Sequence, residues 1–123
     1  MNLVSFLLVI TGVLLNAAAQ LLLKAGVNRV GEIKLTLHTI ISAGWQLAFE
    51  PHILGGLACY VVSVVVWILA LSRVPVSIAY PVLSLGYVVV AVASWFLFGE
   101  SLGAARITGI AIIIVGVFLV ARP

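Results

Sequence analysis

The sequence has 123 residues, of which 65% are hydrophobic and only 7% are charged. A soluble domain carries about 25% charged residues, so this composition excludes an ordinary soluble globular protein. Six Lys and Arg residues against three acids give a net charge of +3. These cations lie apart at the ends of apolar runs instead of forming one basic patch, which argues against a nucleic-acid partner.

Four apolar stretches are each long enough to cross the hydrocarbon core as a helix, which takes about 20 residues. Lipid offers backbone groups no hydrogen-bond partners, and the runs are too long and unalternating for barrel strands, so each span must be helical. The sequence therefore predicts an all-α membrane protein, a single four-transmembrane-helix bundle over residues 1–123. The predicted spans are about 3–24, 53–72, 75–98 and 103–121.

The first span also resembles a signal peptide, because small residues at 17–19 follow its apolar run as they do at a cleavage site. A signal peptide begins with a basic region, and no Lys or Arg precedes this run. We therefore expect the segment to be retained as the first helix. Glycines and charges between 26 and 31 suit the end of that helix and a turn.

A polar stripe follows the first span, where Gly12, Asn16, Gln20 and Lys24 are spaced by four. At 100° per residue they lie within an arc of about 120°. Polar side chains in a bilayer usually face the bundle interior or a wet cavity. The stripe indicates either a track for a polar head group or hydrogen bonding between helices, with Lys24 reaching to the interface.

The segment between the first two spans has apolar residues at helical spacing, from Ile33 and Leu37 to Ala48. This pattern predicts a short interfacial helix, with Trp45 at the level of the lipid headgroups. A partly ordered loop is the alternative.

In the second span Tyr60, Ser63 and Trp67 share a face with Gly56. Rings at such a place could bind a sugar or a cation, whereas single aromatics in membrane helices usually only pack. Cys59 is the single cysteine, and we expect it to pack, because it has no companion for a disulfide or a metal site.

In the third span Ser77, Tyr80, Ser84 and Tyr87 lie within an arc of about 80°. Pro81 lies among them and removes the hydrogen bond that its own N–H would make to the Ser77 carbonyl. This face is predicted either as a substrate-binding wall beside a helix kink or as a harmless kink satisfied by neighbouring helices or water. The short connection at 72–75 predicts that the second and third spans are antiparallel neighbours.

In the fourth span Gly109 and Gly116 are seven residues apart and therefore on one face. Close helix approach is the natural use of that face, so we assign it to dimer packing and not to substrate. In the preceding turn Ser101 is expected to cap the incoming helix. Glu100 and Arg106 are expected to lie together at that surface.

No predicted span contains an acid, because Glu32, Glu50 and Glu100 lie in connections and the sequence has no Asp. A proton-coupled exporter of cations needs a carboxylate that binds proton and substrate in turn, so the sequence argues against that mechanism. It also has no Ser/His/Asp or Cys/His pairing, no glycine-rich phosphate loop and no metal-ligand spacing. We expect a protein that is not an enzyme and that holds no metal or cofactor.

The segment RVPVSIAYPVLS at 73–84 resembles the third-helix motif of four-helix members of the drug/metabolite transporter superfamily. FGESL at 98–102 is similar to the turn before the fourth helix in EamA-type proteins. Two branches compete: the small multidrug resistance exporters and the paired subunits that flip undecaprenyl phosphate-aminoarabinose across the bacterial inner membrane. AQLLLK at 19–24 is more similar to the flippase subunits, whereas multidrug members carry a glutamate where this sequence has Asn16.

The resemblance implies a transporter subunit in the bacterial inner membrane that moves a polyprenyl-phosphate-linked sugar. The phosphate would then meet Lys24, the sugar would meet Asn16, Gln20, Ser63 and the tyrosines, and the lipid tail would stay in the bilayer. A dimer is expected, with a second copy or with a related four-helix subunit. Two alternatives stay open: a small exporter of cationic or polar compounds, and an accessory subunit that transports nothing.

The membrane orientation also stays open. Four cations lie on one side and two on the other, so the positive-inside rule places the termini outside. Ten-helix relatives in the superfamily keep their termini inside. The two sets are Lys24, Arg29, Lys34 and Arg106 against Arg73 and Arg122.

Overall fold

The computed structural model describes residues 2–31 and 35–122, and over those residues it contains five α-helices and no strand. Four of them are long and apolar enough to cross a membrane, as predicted. The all-α fold is therefore confirmed, and the chain is a multi-pass membrane protein. The helices are α1 (Leu3–Val30), α2 (Leu37–Ala48), α3 (Pro51–Leu71), α4 (Val76–Phe98) and α5 (Ala104–Ala121), of which α2 is the one too short to span.

The first helix continues beyond Lys24 to Val30. It ends at Gly31, whose φ of 93° is a conformation that side-chain-bearing residues rarely adopt, and whose N–H donates to the Val27 carbonyl at 2.8 Å. Gly26 does not end the helix but lies buried within it. The glycine with positive φ, and not the first glycine after the apolar run, marks the end of α1.

The turn before α5 differs from the prediction. Gly103 is the N-cap residue, and no side chain hydrogen-bonds to the first turn, so the predicted capping by Ser101 is wrong. The helix begins at Ala104, which places Ser101 outside the N-cap position from which a hydroxyl reaches the first-turn N–H groups. The Ser101 carbonyl instead accepts a hydrogen bond from Arg106 Nη1 at 3.1 Å.

The bundle is organised around α1, which packs along α3 and also along α4. The short connection makes α3 and α4 antiparallel, but they contact each other little because both pack mainly against α1. The last helix, α5, packs along α4.

The two ends of the bundle are packed differently. We call the end with Asn2, Arg122 and the 72–75 connection the terminal end, and the end with Val30 and the 99–103 connection the Glu100 end. The buried apolar core lies toward the terminal end, where α1, α3, α4 and α5 all contribute to it. Its members are Val9, Val13, Ala70, Val74, Ala79, Val82 and Val117.

Much of the remaining surface is apolar and exposed; Phe96 of α4, for example, is 81% exposed. Exposing such a surface to water would cost free energy, and monomeric soluble proteins rarely expose large contiguous apolar patches. Lipid tails remove this cost. The exposed faces of the four long helices are therefore what a membrane protein needs.

The predicted helix between the first two spans is present as α2. The Thr36 hydroxyl caps it by accepting from the Thr39 N–H at 3.4 Å. Trp45 is exposed and stacks on Phe49, with ring centroids 6.3 Å apart. These exposed rings suit the headgroup region, and the interfacial location of α2 stays a prediction.

Candidate functional site

Glycines allow α1 and α3 to approach closely along a line that we call the seam. A Cβ on Gly56 would lie 3.1 Å from the Ala19 carbonyl oxygen, and one on Gly26 would lie 2.6 Å from the Ile53 side chain. A Cβ on Gly12 would be 3.3 Å from the Trp67 ring. Small residues at such positions let membrane helices pack backbone to backbone.

A groove opens on the other side of α1, between α1 and α5, with α4 as its floor. We call it the lateral groove. Its volume is about 680 Å³, within the range of about 300–1,000 Å³ that small-molecule sites occupy. Its polar lining residues are Asn16, Gln20, Tyr87, Ser94, Glu100, Ser101 and Arg106, and the rest are glycine or apolar residues.

A smaller cavity of about 170 Å³ lies in the seam, and we call it the seam cavity. It brings together three of the predicted site residues of α3 with Asn16 of α1. The Ser63 hydroxyl is buried and donates to the Tyr60 carbonyl at 2.6 Å, so its oxygen is left as an acceptor. The lining residues are Gly12, Asn16, Tyr60, Ser63, Val64, Trp67 and Leu83.

Asn16 lines both cavities. Helix directions show that the two extend from it toward opposite ends of the bundle. The lateral groove continues through Gln20 and Ser94 to the 99–103 connection, which is the Glu100 end. The seam cavity continues through Gly12 and Trp67 toward the terminal end. Asn16 is thus the polar side chain at the midpoint of a two-sided space.

The polar stripe of α1 is divided between these spaces by helix geometry. Each step of four residues advances about 40° around the helix, so the stripe winds from α3 toward the groove. Gly12 faces the seam, Asn16 lies between, and Gln20 lies in the groove. Lys24 is exposed and lines neither cavity.

The predicted stripe of α4 reaches the lateral groove only at Tyr87. Ser77, Tyr80 and Ser84 lie outside both cavities. Ser94, which the sequence analysis missed, joins the groove because seven residues after Tyr87 bring the helix back to the same face. Pro81 lies inside a continuous α4, and its kink stays a prediction.

The last helix supplies one wall of the groove, although the sequence analysis gave it no role in substrate binding. Glu100 and Arg106 line the Glu100 end of the groove together, and both were named from the sequence only as neighbours at a surface. Gly109 also lines the groove. No atom of the residues that the structure describes lies within 4 Å of a Cβ built on Gly109 or Gly116, so this face of α5 is open in the described part of the chain.

A separate polar cluster joins α1 to α3 outside the spans. The buried Glu50 carboxylate caps α3 by accepting from the His52 N–H at 2.6 Å, and Arg29 Nε lies 3.6 Å from it. Burial acts to raise the pKa of Glu50, but hydrogen bonds from His52 and the Ile53 N–H outweigh it and hold the pKa below its ordinary value of 4.5. This cluster fastens the seam at the Glu100 end.

Sequence comparisons agree with the membrane architecture. Residues 3–122 match the EamA-like transporter family. A protein of Photorhabdus laumondii, described as a probable 4-amino-4-deoxy-L-arabinose-phosphoundecaprenol flippase subunit ArnF, is 36% identical over 90% of this chain and 91% of its own length. An ArnF protein of Shewanella sediminis with the same description is 36% identical over 93% of this chain and 85% of its own.

The second kind of subunit is also similar. A protein of Salmonella heidelberg, described as a probable flippase subunit ArnE for the same lipid, is 35% identical over 71% of this chain and 93% of its own length. No solved structure matches the chain. The match to the family covers every residue of the four long helices, and the chain belongs to the EamA-like transporter family.

Proposed function

We propose that this chain is a subunit of a flippase that carries 4-amino-4-deoxy-L-arabinose-phosphoundecaprenol across the bacterial inner membrane, and that it is not an enzyme. Relatives described as subunits of such a flippase support the substrate. The single structural observation that carries the proposal is the polar lateral groove inside an otherwise apolar bundle.

The size and lining of the groove suit a sugar phosphate whose tail stays in lipid. The groove is large enough for a pyranose and its phosphate. Asn16 and Gln20 offer amide donors and acceptors to sugar hydroxyls, and Tyr87 offers a ring face and a hydroxyl. The polyprenyl chain would leave between α1 and α5, where the protein presents apolar faces to the bilayer.

The two cavities suggest how the head group would cross. In this conformation the groove is open at the Glu100 end, whereas the core around Val9 and Val82 closes the terminal end. The volume of the seam cavity, about 170 Å³, is below the range of about 300–1,000 Å³ that small-molecule sites occupy. Transport requires it to enlarge while the groove narrows, so that the head group passes Asn16. Tyr60, Ser63 and Trp67 would then contact the sugar on the far half of its path.

A partner subunit would complete the site. The described residues form no wall opposite α4, and the glycine face of α5, which lines the groove at Gly109, is open at Gly109 and Gly116. Because relatives carry two subunit names, ArnE and ArnF, we propose a heterodimer with a related four-helix chain. The glycine face of α5 would pack on that chain.

The remaining predicted contacts stay part of the proposal. Lys24 would attract the phosphate at the interface, and Lys24→Ala should then weaken handling of the anionic lipid. Ser77, Tyr80 and Ser84 would serve only after α4 has moved, because here they lie outside both cavities.

The transport test uses proteoliposomes that contain the chain, its copurifying partner and the aminoarabinose lipid. A membrane-impermeant amine reagent reports how fast the sugar reaches the outer leaflet. Asn16→Leu removes the polar group between the two cavities and should slow flipping about tenfold, the loss of one hydrogen bond to a sugar in an apolar surrounding. Leu14→Asn, on an exposed position of the same helix, controls for polarity.

If the Asn16→Leu variant flips the lipid at the wild-type rate, Asn16 does not contact the head group during transport. No flipping by the wild-type complex would contradict the proposed function itself.

A second candidate is an exporter of lipophilic cations, and Glu100 favours it because this acidic residue lines the groove. The two functions differ in their ligand. A cation bound in competition with protons, with no binding of the glycolipid, would select the exporter.

A further inference from the structure

We infer that Glu100 and Arg106 together recognise the two opposite charges of the head group, Glu100 binding the ammonium of the amino sugar and Arg106 the phosphate. This inference rests on the proposed function and adds what makes the site selective. It also assigns the principal phosphate contact to Arg106, which lines the groove, and not to Lys24, which lies outside it.

The charge pattern of the groove carries the argument. Among the described residues that line it, which exclude 32–34, Glu100 is the one acid and Arg106 the one cation. The two are contributed by a turn and by the first turn of α5, and they lie at the same end of the groove. A groove with one charge of each sign is complementary to a zwitterion, and it disfavours a ligand with a single uncompensated charge.

Arg106 is held in place by a contact that leaves most of its donors available. Nη1 donates to the Ser101 carbonyl at 3.1 Å. A guanidinium has five N–H donors in a planar fork that suits a phosphate, so this one bond orients the group without using it up. The bond also ties Arg106 to the residue beside Glu100, which keeps the cation near the acid.

The backbone of the 99–103 connection holds Glu100 in position. Gly99 has a φ of 68°, which ends α4, and the Glu100 N–H bonds back to the Ser94 carbonyl at 3.4 Å. Ser94 itself lines the groove. The backbone of Glu100 is therefore hydrogen-bonded to α4, which forms the floor of the groove, and does not lie in a free loop.

The position of the pair determines when it acts. It lies at the Glu100 end, whereas Asn16 and Gln20 lie deeper. A head group that enters from this end meets both charges before its sugar reaches the amides. A polyprenyl phosphate without the amine would place only negative charge beside Glu100, and an N-acetylated amino sugar would offer no cation to it.

The test compares two lipids that differ only at the nitrogen. The wild-type complex in nanodiscs is loaded with equal amounts of aminoarabinose-phosphoundecaprenol and its N-acetyl analogue, and native mass spectrometry counts each bound lipid. Wild type should prefer the free amine by about tenfold, as expected for one charge-assisted hydrogen bond. Glu100→Gln should abolish this preference, and Glu100→Asp should retain part of it.

The phosphate half has its own variants. Arg106→Gln should lower binding of both lipids about tenfold without changing the preference between them, and Arg106→Lys should recover part of it. Arg122→Gln removes a cation at the terminal end, outside the groove, and should change neither quantity.

The outcomes separate the inference from the proposed function. A wild-type complex that binds neither lipid overturns both. A wild type that binds both lipids equally, or a Glu100→Gln variant that keeps the preference, overturns the inference alone. If Lys24→Gln weakens both lipids while Arg106→Gln does not, the assignment of the phosphate to Arg106 is wrong.

Discussion

The two sides of α1 are built in opposite ways. Along the seam with α3, glycines bring backbone against backbone, and the Glu50 cluster fastens one end. On the other side, α1 and α5 stand apart over α4 and leave a groove of about 680 Å³. The half of the seam at the Glu100 end has the features of a rigid support, and the groove has those of a site.

The difference shows how a chain of this size combines stability with passage of a polar group. In lipid, helix association depends on close packing and not on the hydrophobic effect. The seam supplies that packing between α1 and α3. At the Glu100 end α5 consequently need not pack on α1, and the space between α1 and α5 can be polar.

The largest expected effect comes from breaking the seam. Gly56→Ala would place a Cβ 3.1 Å from the Ala19 carbonyl oxygen, a backbone atom that cannot turn away. We expect a loss of about 1–3 kcal/mol, as for an overpacked core, measured by thermal unfolding in detergent. Gly55→Ala is the matched control, because its new Cβ would meet only Leu22 at an ordinary 3.8 Å. Equal stability of the two variants would show that the seam is not closely packed.

A smaller effect is expected on the open side. Gly116→Leu adds a side chain where no atom lies within 4 Å, so the single chain should unfold at the wild-type temperature. If this face packs on the partner, the dissociation constant of the complex should rise about tenfold, which corresponds to roughly 1.4 kcal/mol. Analytical ultracentrifugation in detergent measures it. An unchanged constant would move the partner to another face.

The smallest effect concerns the Glu50 cluster. Because the folded-state pKa of Glu50 lies below 4.5, its contribution to stability is present above that pH and is lost as the pH falls through the folded value. Melting temperatures of wild type and Glu50→Gln should differ at pH 7 and converge in acid below pH 4.5. A difference that persists at low pH would mean that Glu50 acts by shape and not by charge.

The four spans could be predicted from the sequence, because a lipid-facing helix must be long, apolar and internally hydrogen-bonded. The stripe through Asn16 and Gln20 was also readable, because its period is that of one helix. How the stripe divides between two cavities was not, since that depends on which helices flank α1.

The groove residues that the sequence did not predict are brought there by the packing of one element against another. Glu100 and Arg106 enter the groove through a turn and the neighbouring helix, and no periodicity within one helix could place them there. Ser94 could have been found, because it repeats Tyr87 after two helical turns. The prediction that Ser101 caps α5 was wrong because the start of the helix depends on the local turn, in which Gly103 is the N-cap residue.

The most direct test of the central claim is photo-cross-linking with an aminoarabinose-phosphopolyprenol that carries a diazirine beside the phosphate. After irradiation of the complex in nanodiscs, peptide mass spectrometry identifies the labelled residues. The lateral groove predicts labels around Tyr87, Ser94 and Arg106. Labels confined to the outer apolar face of α4, at Val89 and Phe96, would show a lipid that only surrounds the protein and would contradict the groove as its site.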